Sequence, residues 1–173
     1  MVDPELVERL GAARVSYCLI GPLALAEHGV PLRDHDARVE LLTVDTDVLR
    51  PLFWDEGRRP EVVPGSAGDD SVARLRWPGS PARELLVGRG HATIFAVDTA
   101  HPNDRLGCRV ATPLGLLLVA LQHGGIGARA EIDALIRAQD ARLGAPWRPP
   151  VEEHLAAMAP SATAAWNQIL RSR

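Results

Sequence analysis

The sequence contains no lysine: all 19 of its basic residues are arginine. P-loop NTPases, Schiff-base enzymes and pyridoxal enzymes each need a lysine amine at the reacting centre, so those mechanisms are excluded. Aromatic residues make up only 4% of the 173 residues, so the core must be built from Leu, Val, Ala and Ile. No apolar run is long enough to cross a bilayer. The acidic start "MVDPELVERL" lacks the layout of a secretory signal, and a cytoplasmic protein with no membrane segment is expected. Cysteine is scarce. Cys18 and Cys108 each stand in an apolar segment without metal-ligand spacing, which predicts two buried, reduced thiols. A basic excess is missing too. The net charge of −3 argues against bulk nucleic-acid binding.

What is present predicts an α+β protein: a mixed sheet flanked by helices, with a helical C-terminal tail. The length suits one domain over 1–145, extended by helices over 146–173. "DPELVERLGAA" reads as a helix capped by Asp3 with Pro4 at its first position. "RVSYCLI" is a buried strand, "GPLALAEHG" a helix closed by Gly29, and "ARVELLTV" a second strand. "DTDVLRPLFWDEG" reads as a helix, and "PEVVPGSAGDDS" as loop with one short strand at most. "SVARLRW" and "ARELLVG" are strands around a "PGSP" turn, although Val72, Leu75 and Trp77 share no strict phase. "CRVATPLGLLLVALQHGG" runs from a short strand through Thr112 as N-cap and Pro113 into an apolar helix. "ARAEIDALIRAQDARLG" is an amphipathic helix, and two short helices follow "APWRPP".

The chemistry concentrates in "YCLIGPLALAEHGVPLRDHDARVELL". A strand ends in Gly21 and a helix begins at once, which offers free N–H groups and a positive dipole end to a phosphate. Carboxylates then recur at alternate positions: Asp34, Asp36 and, beyond Arg38, Glu40. Two carboxylates spaced D-x-D at a strand start, facing a helix N-terminus, suit Mg2+-assisted phosphoryl transfer.

In order and spacing these residues resemble the nucleotidyltransferase superfamily, and most closely its minimal or AbiEii-type members. "CLIGPLALAEHGVP" matches the family's strand, glycine and helix. "ARELLVG" is similar to the strand that carries its third carboxylate, here Glu84, and "CRVATPLGLLLVALQ" is similar to a later family segment. About two-thirds of the chain is covered. The resemblance implies phosphate binding at Gly21, Pro22, Arg33 and Arg38, and a catalytic metal set of Asp34, Asp36 and Glu84 with Mg2+. The departures fall on that centre. Pro22 replaces Gly or Ser and removes one N–H from the phosphate cradle. Alignment on "HGVP" puts the aspartate pair on Asp36 and Arg38. Alignment on Arg33 and His35 puts it on Ala37 and Val39. Only a shortened loop keeps Asp34 with Asp36. The family's lysine after the later segment is Gln122.

Three functions follow. The first is a nucleotidyltransferase-fold protein impaired in catalysis, binding an NTP or a protein partner, in a toxin–antitoxin or defence setting as the resemblance implies. The second is an active Mg2+-dependent enzyme moving NMP from an NTP to RNA, a protein or a small molecule such as an antibiotic. The third is a plain α+β interaction module. Blander readings stand beside the site residues. Gly21-Pro22 can be a tight turn, Asp34 to Asp36 a polar loop, and Glu84 a surface partner of Arg83. His28 reads as a helix-end residue. "QHGGIG" reads as a helix–helix connection and the four tryptophans as packing anchors. His91, His101, His123 and His154 show no zinc spacing.

Overall fold

The computed structural model describes residues 2, 4–32, 38–44, 60–65, 71–77, 83–123, 126–143 and 147–172. Asp3, the expected helix over "DTDVLRPLFWDEG", and Arg33, Asp34 and Asp36 lie outside the described residues.

Helix α1 (Pro4–Ala12) buries Leu6 and Leu10, one turn apart. It stops in a Schellman turn. Arg14 takes the left-handed conformation at φ 57°, while Val15 N–H reaches back to Leu10 O and Arg14 N–H to Gly11 O. The chain then enters β1 (Tyr17–Ile20), a strand buried at every position. Helix α2 (Gly21–Glu27) follows without a linker and ends in a second Schellman turn, with Gly29 at φ 90° and Val30 N–H on Leu25 O.

Strand β2 (Val39–Thr43) runs antiparallel to β1. Next come β3 (Glu61–Pro64), β4 (Ser71–Trp77) and β5 (Arg83–Gly88), paired as antiparallel neighbours. Helix α3 (His91–Asp98) leads to β6 (His101–Asn103) and β7 (Cys108–Val110). The rest is helical: α4 (Pro113–His123), α5 (Ile126–Leu143), α6 (Arg148–Leu155) and α7 (Pro160–Arg171). The sheet order is β3-β4-β5-β2-β1-β7-β6. The β2–β5 and β1–β7 pairs are parallel and the others antiparallel. This is the expected α+β arrangement of a mixed sheet flanked by helices, with a helical C-terminus.

The alternation in "SVARLRW" breaks for a local reason. The register against β5 shifts between Ser71 and Ala73. That irregularity leaves Val72 exposed while Leu75 is buried. At the other end of the sheet, Thr112 caps α4 as the sequence predicts: its Oγ1 accepts Gly115 N–H at 3.1 Å. Helix α4 is the hub of the fold, touching α2, α3, α5, α6 and α7. Cys18 and Cys108 are buried free thiols, as expected. Burial pushes Cys18 up to about 12 and Cys108 to about 11. The tryptophan expectation holds where it can be seen: Trp166 is fully buried, and Trp77 and Trp147 pack against the core.

Candidate functional site

The site forms where β1 hands over to α2. Gly21 stands there at φ 70°, a conformation that costs an L side chain about 1–2 kcal/mol. Space makes a second demand for glycine. A Cβ on Gly21 would come within 2.5 Å of Glu40 Oε2. The register explains the approach, because Ile20 pairs with Glu40 across the antiparallel β1–β2 ladder. The open cradle beside Gly21 is thus filled by the chain's own carboxylate. Glu40 sits at the start of α2, where a negative charge is favoured by the helix dipole. Pro22 occupies the first turn of α2, and the cap position, Ile20, offers no side-chain hydrogen bond.

Glu40 has a second carboxylate beside it. In the parallel β2–β5 ladder Glu40 pairs with Glu84. In the β4–β5 ladder Glu84 pairs with Arg76, and Arg74 lies one pleat further along the same face. Each carboxylate carries its own arginine. Arg38 lies 3.1 Å from Glu40. Arg76 Nε donates to Glu84 at 2.9 Å, and Arg74 stands 3.4 Å from its other oxygen. The glutamates are held in, with side chains 20% and 14% exposed, while all three guanidinium groups are near half exposed. Burial pushes the Glu40 carboxyl above the ordinary carboxylate range. Arg38 opposes that shift, and Glu84 and Glu131 add to it.

Below this cluster lies a cavity of about 140 Å³. Its walls are Ile20 and Gly21, Leu25 of α2, Glu40, Arg74 and Leu86 of the sheet, and residues of α4 and α5. Most of the lining is aliphatic; Glu40, Arg74, His123 and Glu131 supply the polar groups. A buried relay ties the end of α2 to its neighbours. His28 Nε2 donates to Ala111 O at 2.8 Å, and Gln139 Nε2 of α5 donates to His28 O at 2.7 Å. His28 is therefore the helix-end residue that the sequence suggests, with a ring that ties α2 to the segment entering α4.

Among the predicted site residues, the structure brings together Gly21, Pro22, Arg38 and Glu84. Glu84 pairs with arginines of β4. Arg33, Asp34 and Asp36 lie outside the described residues. Sequence reasoning passed over Glu40 as a site residue. The alternation Arg38-Val39-Glu40 carried the signal, but only the pairing of β2 with β5 reveals the partner of Glu40. Gln122 has a structural role: its Oε1 accepts Ala92 N–H at 3.2 Å and caps α3. His91 and His154, far apart in sequence, are joined by a 2.9 Å hydrogen bond between ring nitrogens.

The described residues do not fit a divalent metal ion. The two neighbouring carboxylates already accept guanidinium N–H groups. Among the described residues no group of three or more His, Cys, Asp and Glu is placed to hold a metal ion. No described helix is long and apolar enough to cross a membrane.

No family model matches the sequence, and no curated protein matches it. Among solved structures, the crystal structure of the Megavirus polyadenylate synthase is similar over 82% of this chain and 32% of that one, at 12% identity and a TM-score of 0.46. The chain thus spans about a third of that synthase's length.

Proposed function

We propose that this chain is a nucleotidyltransferase-like domain that does not transfer nucleotides through a two-metal centre, and that it serves as a binding module for a nucleotide or a protein partner. One observation carries the reading. Glu40 and Glu84 stand side by side on paired strands next to Gly21, and arginines neutralise both. A guanidinium supplies the positive charge that a metal ion would bring, but it offers no open coordination site for a phosphate oxygen. Arg38, the position on which the "HGVP" alignment puts the second aspartate, instead pairs with Glu40 two residues on.

The test is calorimetric titration of ATP, GTP, CTP and UTP with Mg2+ or Mn2+, repeated with EDTA and followed by labelled-nucleotide transfer. Binding that ignores EDTA, without transfer, is the expected result. Metal-dependent binding with transfer that Glu84→Gln abolishes overturns it.

A second reading has one observation behind it: Glu84 lies on β5 beside β2, and Asp34-His35-Asp36 precede β2 in the sequence. In that reading Asp34, Asp36 and Glu84 hold Mg2+, and NMP passes from an NTP to RNA, a protein or a small molecule. Asp36→Ala then abolishes transfer. If the first reading is right, Asp36→Ala changes nothing, and Arg38→Asp creates Mg2+ binding that the unmodified chain lacks.

A further inference from the structure

We propose that His91 and His154 form a two-imidazole site for a tetragonal divalent ion, Cu2+ or Ni2+, which clamps helix α6 to helix α3. The site is separate from the centre at Gly21. Glu84, near the start of β5, belongs to that centre, whereas His91 opens α3 beyond Gly88 at the strand's far end. The carboxylates near Gly21 are taken up by arginines; two imidazoles are a different donor set.

Distance selects the ion. His91 is the first residue of α3, and His154 lies in the last turn of α6, 63 residues later. Nε2 of His91 and Nδ1 of His154 stand 2.9 Å apart. A metal–imidazole bond is about 2.0–2.1 Å long, so two such bonds at a right angle put their nitrogens about 2.9 Å apart, and at a tetrahedral angle about 3.3–3.4 Å apart. The pair therefore has the bite of two neighbouring ligands in a square or octahedral sphere. Imidazole suits Cu2+ and Ni2+, and both ions favour that geometry. In the hydrogen-bonded pair one facing nitrogen carries a proton and the other a lone pair. The ion needs a lone pair on both. The donor ring then takes its other tautomer, with the proton on its far nitrogen, and two neutral rings release no proton.

Packing holds the two rings near each other. Phe95, one turn after His91, has its ring centroid 4.4 Å from that of His154 and 6.5 Å from that of His91. Val151, one turn before His154, is fully buried and seats α6 on the core. Both histidines are partly exposed, so water completes the coordination sphere. Among the described residues no third His, Cys, Asp or Glu joins the pair. Mg2+, which takes oxygen ligands, gains nothing from such a site. The other neighbouring histidine pair does not qualify. The rings of His28 and His101 lie 6.0 Å apart, and Nε2 of His28 is spent on Ala111 O.

The test titrates Cu2+, Ni2+ and Zn2+ separately into the full, untagged chain by calorimetry. Pulsed EPR of the one-equivalent Cu2+ complex then counts the imidazoles on the ion. Two imidazoles are expected, with Ni2+ bound at least threefold more tightly than Zn2+, because a tetrahedral ion must spread the pair. His91→Gln and His154→Phe, on different helices, should each weaken Ni2+ at least tenfold, while His101→Gln leaves it unchanged. Saturating Ni2+ should raise the thermal midpoint of the unmodified chain and leave that of His154→Phe in place. The imidazole count needs no variant, so it decides even where a substitution disturbs folding. One imidazole or none, Zn2+ held as tightly as Ni2+, affinity that survives both substitutions, a loss shared by His101→Gln, or no binding at all overturns the proposal.

Discussion

Gly21 and Glu40 form a pair in which each residue explains the other. A side chain at Gly21 meets an unfavourable φ and a carboxylate at 2.5 Å, two separable costs. Gly21→Ala should lower stability by about 2–4 kcal/mol, combining backbone strain with overpacking. Adding Glu40→Ala should recover the steric part and leave the φ cost of about 1–2 kcal/mol. Urea melts of the single and double variants check this, and additivity would show that the two residues do not touch. Glu40 also has a pH signature. Its folded-state pKa is raised, so its contribution is fully present at pH values below the ordinary carboxylate range and is lost as pH rises through and above that range. Glu40→Gln should therefore gain stability relative to the unmodified chain as pH goes from acid to neutral. A constant difference across that interval would contradict it.

At the scale of elements, two helices meet through one small residue. A Cβ on Gly115 of α4 would sit 3.1 Å from Ala96 Cα of α3. Gly115→Ala should thus cost about 1–3 kcal/mol by overpacking, despite the better helix propensity of alanine, as thermal melts would read. The same helix pair marks where the sequence is legible and where it is not. Thr112-Pro113 announces α4, because cap and first-turn chemistry are local. Helix α3 carries no such signal. "HATIFAVD" mixes β-branched residues with alanine, it has no polar stripe, and the side-chain oxygen that caps it belongs to Gln122, 30 residues away. The site divides in the same manner. Gly21 was readable from its turn, while the pairing of Glu40 with Glu84 depends on a ladder between distant strands. A further element-level contact joins α3 to α6. The ring of His154 packs against Phe95 and hydrogen-bonds His91. Burial and then His91 lower the pKa of His154, against a smaller opposing effect from Glu153. The stability it gives is present above the ordinary histidine value of 6.5 and fades as pH falls through and below it. His154→Phe should flatten acid-side melting curves over that interval.

On the scale of the whole molecule, the C-terminal helices belong to the core. Trp166 and Ile169 of α7 and Val151 of α6 are buried, and both helices lean on α4. At about 1.5–3 kcal/mol for each large side chain, cutting the chain after position 147 removes an amount comparable with the whole stability of a small domain. The shortened chain is expected to lose cooperative melting by circular dichroism. An intact transition would show that 1–147 folds alone.

The order of the strands has one more consequence. Among the described residues the sheet ends on β3 at one side and β6 at the other, strands of four and three residues. Each edge strand carries a proline, Pro64 or Pro102, that cannot donate a backbone hydrogen bond, and β3 also bears Glu61. Such edges give a neighbouring chain little to extend. The aliphatic centre of the sheet, which would make a strong aggregation template if exposed, is fenced by its weakest strands. Crowding these molecules together should therefore yield a solution of separate particles and not a growing ribbon.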